Sequence, residues 1–227
     1  MAANIQDRKA VEPLSVAEPV EPFANGRLDG RALDQVRPIF MKTGSLDSQT
    51  STQASPSGSA YYEQGKIRIS CAVYGPRQGR KSNAKMGIFS CDFKYTPFSC
   101  SWRKSHIKSS DEKEIALILE QAVAPAIRLE LYPKACVDAF ITVIESDGKA
   151  ATIAAAINCI SAALVDAGIE LGSSDCTQIE EDTPDEVAYI LQHGKTKLEQ
   201  TEEGFQACVN ACTKVYAVIC RYLQGSV

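Results

Sequence analysis

The stretch from Ala150 to Val165 is so dense in alanine that, as a helix, it has few bulky side chains to hold a neighbour away. It must pack very closely against a sheet. The residues around it agree with this. Ala135 to Glu145, rich in Val, Ile and Phe, reads as a buried strand, Asp147-Gly148 turns the chain, and Gly168 ends the helix. Strands followed by helices laid on one side give a layered α+β domain.

Other segments extend the pattern. Tyr61-Tyr62-Glu63, the turn Gln64-Gly65 and Lys66 to Tyr74 read as a hairpin, because Ile67, Ile69, Cys71 and Val73 alternate with Lys66, Arg68, Ser70 and Ala72. Met86 to Phe93 reads as a third strand. A helix is expected from Ser110-Asp111, with Asp111 as an acidic cap three residues before Glu114. Ile115, Ile118, Leu119, Ala122, Val123, Ala126 and Ile127 supply its apolar face, Pro125 kinks it and Pro133 ends it. Val187 to Leu191 reads as a small strand closed by His193-Gly194. The last helix carries Phe205, Cys208, Cys212, Tyr216, Ile219 and Leu223 as a stripe, with Thr201 as its cap.

A chain of 227 residues supports one substantial core. Residues 1–26, interrupted by Pro13, Pro19 and Pro22, read as a flexible tail, and 27–227 as a single domain shortened near 172–185. Thr43 to Ser59, rich in Ser, Thr and Gln, reads as a surface loop. No apolar run approaches the roughly 18 residues of a membrane span, so no membrane partner is expected. Asp7, Arg8 and Lys9 precede any apolar stretch, which does not read as a secretory signal. The nine cysteines form no C-x-x-C pair and their number is odd; Cys71, Cys136 and Cys159 fall in apolar segments. Cys208 and Cys212 lie one helical turn apart with no histidine nearby, so packing is expected rather than zinc. An intracellular, reducing setting follows.

The formal net charge of −4 conceals a segregation. Between Arg77 and Lys108 stand eight basic residues and one acid, Asp92; this local excess of +7 leaves −11 to the rest, much of it between Asp175 and Glu203. An anionic partner meets one face of such a molecule. Arg77, Arg80, Lys81 and Lys85 fall in one loop, and Arg103, Lys104, His106 and Lys108 in another, with Trp102 as a possible stacking ring. The seven Lys and Arg residues are candidate contacts to a phosphate backbone. His106 and His193 lie far apart, and no Ser-His-Asp, Cys-His, Walker-type or dinucleotide glycine motif is present.

The order Arg27-Leu28-Asp29-Gly30-Arg31, Arg37-Pro38, Gly58-Ser59-Ala60-Tyr61-Tyr62-Glu63, Cys71 to Arg77, Tyr132-Pro133-Lys134 and Asp166-Ala167-Gly168-Ile169 resembles the RNase PH superfamily. In detail it resembles the RNase PH-like subunits of the eukaryotic RNA exosome ring, of the mRNA-transport-regulator type. The resemblance implies an RNase PH-like (ribosomal protein S5 domain 2-like) α+β fold of mixed sheets with packed helices. It also implies a place in a six-membered ring built from heterodimers of RNase PH-like subunits, capped by RNA-binding proteins and threading RNA.

Phosphorolysis requires phosphate held against the terminal phosphodiester, commonly by backbone N–H groups at a helix N-terminus plus an arginine fork, and carboxylates to hold a metal or manage a proton. Active relatives place a Gly-Ser/Thr-Arg turn before the alanine-rich helix, whereas this chain reads Gly148-Lys149-Ala150-Ala151-Thr152, and lysine lacks the planar two-pronged geometry. The acidic strands expected after Ile169 give way to Gly172-Ser173-Ser174-Asp175, as if two strands were absent; Glu180, Glu181, Asp182, Asp185 and Glu186 read as a solvated loop. No catalytic residue, metal ligand or cofactor is assigned. The resemblance therefore implies a non-catalytic structural subunit acting in RNA 3′-end processing and decay in nucleus, nucleolus and cytoplasm. An active phosphorolytic 3′-to-5′ exoribonuclease and a protein-interaction module without RNA contact remain the alternatives. The tail, the acidic region and an open sheet edge suggest surfaces that only neighbouring subunits cover.

Overall fold

The computed structural model describes Arg31 and residues 35–46, 55–78, 85–172, 189–190 and 198–225. Met1–Gln35 and Val36–Val227 are separate units. In the first, the Arg31 guanidinium donates to the Gln35 carbonyl at 2.9 Å; the rest of the Arg27–Arg31 landmark and of the expected tail lies outside the described residues.

The second unit is built on one mixed five-stranded sheet: β1 (Ile39–Thr43), β2 (Gly58–Gln64), β3 (Ile67–Gln78), β4 (Ile88–Tyr95) and β5 (Ala135–Glu145), in the order β1-β2-β3-β5-β4. All neighbours are antiparallel except β4 and β5, whose parallel pairing is spanned by helix α1 (Ser110–Val123). The β2–β3 hairpin pairs Gln64 with Ile67, so the turn is Gly65-Lys66, one residue later than expected; Gly65 supplies the positive φ of 63° there. Ile67, Ile69, Cys71 and Val73 are buried as their alternation requires. Of the expected Val187–Leu191 strand, Tyr189 and Ile190 are described and are not in a strand. Among the described residues no strand follows β5.

α1 begins one residue before the position the sequence suggests for its cap, and with a different pair. Ser109 caps it: its Oγ accepts the Glu112 N–H at 3.3 Å, and Glu112 Oε2 accepts the Ser109 N–H at 2.7 Å, closing a capping box that Asp111 and Glu114 do not form. Pro125 does not kink the helix but lies in a short 3-10 turn, Ala124–Ala126, that follows its end.

Helix α2 (Lys149–Asp166) is the described helix long and apolar enough, by length and composition alone, to cross a membrane. Its apolarity serves the core: Ile153, Ala155, Ala156, Cys159, Ile160, Ala162, Ala163 and Leu164 are buried against the sheet. The landmark Asp166-Ala167-Gly168-Ile169 is the end of this helix. Gly168 has φ 68°, its N–H donates to the Val165 carbonyl at 3.0 Å, and the Ile169 N–H donates to the Leu164 carbonyl at 3.1 Å. This is a Schellman motif, completed by burial of both Ile169 and Leu164. Asp166 Oδ2 accepts the Ser59 N–H at 2.8 Å and the Gly44 N–H at 3.2 Å, tying the helix end to the strands.

Tyr62 is fully buried, and its hydroxyl accepts from Asn158 of α2 at 3.2 Å. Burial pushes the phenol up from 10.0 to about 12, against the smaller opposing effect of that hydrogen bond. Because the folded value lies above the unfolded one, this contribution to stability is fully present below pH 10.0 and is lost as pH rises through about 12. A phenolate absorbance titration is expected to show tyrosines ionising late, with alkaline unfolding, since burial raises Tyr95 as well, and Tyr62→Phe is expected to reduce the amplitude of that late step. Among the thiols, a hydrogen bond to Cys159 and burial push Cys71 well up, so it stays protonated in the core.

Helix α3 (Leu198–Gly225) departs most from expectation. Thr201 lies inside it and is not its cap. Near its C-terminal end Ile219 and Leu223 pack on the core, Tyr222 donates to the Ile39 carbonyl at 3.1 Å, and its ring meets Phe40 edge-on. Phe205 and Tyr216 are exposed, as are Cys208 and Cys212, so neither thiol packs as expected. The β4 edge of the sheet is partly covered. The Cys91 and Tyr95 N–H groups on its outer side are taken by Glu120 at 2.8 Å and Glu112 at 2.9 Å, both from α1, which blunts that edge against strand addition.

Candidate nucleic-acid interface

The sheet places the two basic loops at opposite ends. Gln78 pairs with Ala135 and Ile88 with Cys136, so Arg77, at the end of β3, and Lys85, ahead of β4, share one end. Arg80 and Lys81 lie outside the described residues. Arg103, Lys104 and Lys108 follow β4 at the other end, where Tyr95 pairs with Val143. Eight strand residues separate the groups, roughly 25 Å at about 3.3 Å per residue. A strand that touched both would run the length of β4.

The candidates also differ in what already holds them. Arg77 is ion-paired with Asp138, its Nε 3.1 Å from Oδ2, and lies 5.8 Å over the Tyr74 ring, where Ala72 and Phe140 complete a shallow pocket. Lys108 Nζ is 2.5 Å from Asp92 Oδ1. Among the described residues, Lys85 and Arg103 are exposed and make no ion pair. Lys104 Nζ lies 5.4 Å from the Tyr95 ring centre and is still exposed to solvent. The cations with most freedom to meet a new anion are therefore Lys85, Arg103 and Lys104.

The loop after β4 is built rather than loose. Ser99 turns back on Thr96, its N–H donating at 3.0 Å and its hydroxyl at 2.8 Å to the Thr96 carbonyl. The Lys104 N–H closes the loop on the Pro97 carbonyl at 3.0 Å, and the Ser146 N–H reaches the Ser99 carbonyl at 2.9 Å. That last bond anchors the loop beside the turn that leads into α2. Phe98, Trp102 and Ile107 project from it at 73%, 84% and 68% exposure. Trp102 is visible in the sequence as a candidate ring; Phe98 and Ile107 are likewise exposed, which no periodicity announces, since the segment has neither helical nor strand spacing.

The turn ahead of α2 is occupied by ion pairs. Arg37 reaches Asp147 at 2.7 Å, and Lys149 Nζ lies 3.6 Å from Glu114 of α1. Gly148 caps the helix without a side chain, and Thr152 returns its hydroxyl to the Gly148 carbonyl at 2.7 Å. Both cations nearest this helix start are therefore matched by carboxylates from within the fold. Among the described residues no group of three or more His, Cys, Asp or Glu side chains is placed to hold a metal.

The fold and these sequences have known counterparts. Exosome complex component mtr3 of Schizosaccharomyces pombe is 41% identical over 173 residues, covering 73% of this chain and 63% of the relative. Exosome complex component MTR3 of Homo sapiens is 35% identical over 151 residues, covering 60% of this chain and 52% of the relative. The chain thus spans between about half and two thirds of these relatives' lengths. The crystal structure of rice (Oryza sativa) Rrp46 superposes with a TM-score of 0.54 at 28% identity, over 64% of this chain and 63% of that one. The family described as "3' exoribonuclease family, domain 1" matches residues 35–170, which take in the whole sheet, α1 and α2. On that match the chain belongs to the RNase PH family of 3′ exoribonuclease domains.

Proposed function

We propose that this chain is a non-catalytic structural subunit of an RNA exosome core ring, supporting 3′-to-5′ RNA processing and degradation through ring assembly and contacts along the RNA path. The observation that carries the non-catalytic part is the turn before α2, where lysine stands in place of the arginine fork and is engaged by Glu114. A point charge lacks the two-pronged donor geometry that holds a phosphate, and here it also lies 3.6 Å from a carboxylate. Similarity to the exosome components named mtr3 and MTR3 supports the ring assignment. Its partners are then other RNase PH-like subunits in heterodimers, RNA-binding cap subunits and RNA, in nucleus, nucleolus and cytoplasm. The exposed α3 stripe supports a neighbour being present.

Arg77, Arg80, Lys81, Lys85, Arg103, Lys104 and Lys108 are the proposed phosphate contacts, with Arg103 and Lys104 the leading pair because they are exposed on an ordered loop. Charge reversal of both is expected to weaken RNA binding by the assembled complex. It is also expected to reduce the slope of log affinity against log salt by about 1.4, at roughly 0.7 per phosphate contact on a single strand. Unchanged affinity at low salt would remove these residues from the path. Copurification of the endogenous protein followed by mass spectrometry tests the ring itself. Phosphate-dependent release of nucleoside diphosphates from labelled RNA by the purified chain would instead establish an active phosphorolytic enzyme.

A further inference from the structure

We propose that Trp102 is a stacking platform for an unpaired RNA base, with Arg103 and Lys104 taking the phosphates on either side; this rests on the RNA-path reading above and adds the ring that grips the base. At 84% exposure Trp102 stands furthest into solvent of the large exposed hydrophobics described, so its ring contributes little to the core. A large apolar ring held in water on a closed loop is poised for a planar partner. The loop is fixed beneath it: the Lys104 N–H bonds the Pro97 carbonyl at 3.0 Å, Ser146 is bonded to Ser99 at 2.9 Å, and the Lys104 ammonium rests 5.4 Å from the buried Tyr95 ring. Binding therefore orders little new backbone, which favours affinity.

Charge decides the class of partner. From Pro97 to Lys108 there is no acidic residue, while Arg103 and Lys104 are basic and exposed and Lys108 is paired with Asp92. A polyanion with flat apolar faces spaced along it matches that combination. Single-stranded RNA supplies both, whereas duplex RNA hides its base faces in the stack. Because every base has a π face, the platform takes any of them with little sequence preference.

Trp102 is the chain's one tryptophan, so the full chain reports on itself by fluorescence. Three probes separate the contributions at low salt: an oligoadenylate, an abasic ribose-phosphate strand of the same length, and an RNA duplex. Oligoadenylate is expected to quench the emission, and the abasic strand and duplex to bind without quenching. Trp102→Ala is expected to lower oligoadenylate affinity roughly 5- to 150-fold, to the level of the abasic strand, and to leave abasic binding unchanged. Trp102→Phe is expected to restore most of the loss. Oligoadenylate binding with unchanged emission, or equal affinity in Trp102→Ala, would overturn the platform while the phosphate contacts stand. Failure of every nucleic acid to bind would overturn both. Quenching by an acidic peptide but not by oligoadenylate would make the loop a protein-docking site and overturn the proposal.

Discussion

Gly58→Ala is expected to destabilise the domain by about 3 kcal/mol or more, the upper part of the range for overpacking. A Cβ at this position would lie 2.3 Å from the Ala167 nitrogen, 2.6 Å from the Ala163 oxygen and 2.7 Å from the Ala167 Cα. All three are backbone atoms of the last turn of α2, and the Ala167 N–H and Ala163 carbonyl are the partners of a 3.0 Å helical bond. No rotamer change relieves such a contact; helix and strand must part. Parting them also strains the Asp166 bonds to Ser59 and Gly44. At about 2–4 °C per kcal/mol for a chain of this size, the melting temperature is expected to fall by roughly 6–12 °C. A calorimetric midpoint within about 2 °C of the parent would show that α2 does not sit this close.

Glu112→Ala is expected to cost about 3 kcal/mol, because one carboxylate serves two donors in different elements. Oε2 accepts the Ser109 N–H at the helix start, and Oε1 accepts the Tyr95 N–H on the β4 edge. The side chain is buried, 3% exposed, so water does not replace it at the Tyr95 N–H. Glu112→Gln retains one acceptor oxygen and turns an amide NH2 toward the other donor, so it is expected to lose roughly half as much. Denaturant midpoints for the two variants at unchanged slope check this. Equal, small effects in both would mean that the helix start and the strand edge are held by other contacts.

Much of the fold is legible along the chain because it is periodic. The alternation from Ile67 to Val73 marks a strand whose buried face the structure confirms; the apolar run from Ala135 to Glu145 is also a strand, but only Val137, Ala139, Ile141 and Val143 are buried, and Phe140 on its other face is exposed. The alanine density of α2 announces its close approach to the sheet, and Gly58 is where that approach is tightest. What the linear reading misses are choices between neighbouring residues of similar chemistry. Ser109 with Glu112 was as available as Asp111 with Glu114, and only the position of β4, whose Tyr95 N–H draws the Glu112 carboxylate inward, separates them.

The site divides in the same way. Charge segregation picks out the basic loops, since formal charge is a property of composition. It cannot say that Arg77 and Lys108 are already paired while Arg103 and Lys85 are not, because Asp138 meets Arg77 across the β3–β5 pairing and Asp92 meets Lys108 through the return of the loop after β4. Nor does it separate the two groups by the length of β4. The α3 stripe makes the same point from the opposite side. Its helical spacing is plain in the sequence, yet burial depends on a neighbour being there to receive it. Family, layering and the lysine at the turn before α2 are thus written in residue identity and spacing, which short-range sterics and hydrophobic periodicity translate directly. Which cations stay free, which carboxylate caps which edge, and which apolar rings remain in water were decided by tertiary packing, because each depends on groups distant in the chain arriving at the same place.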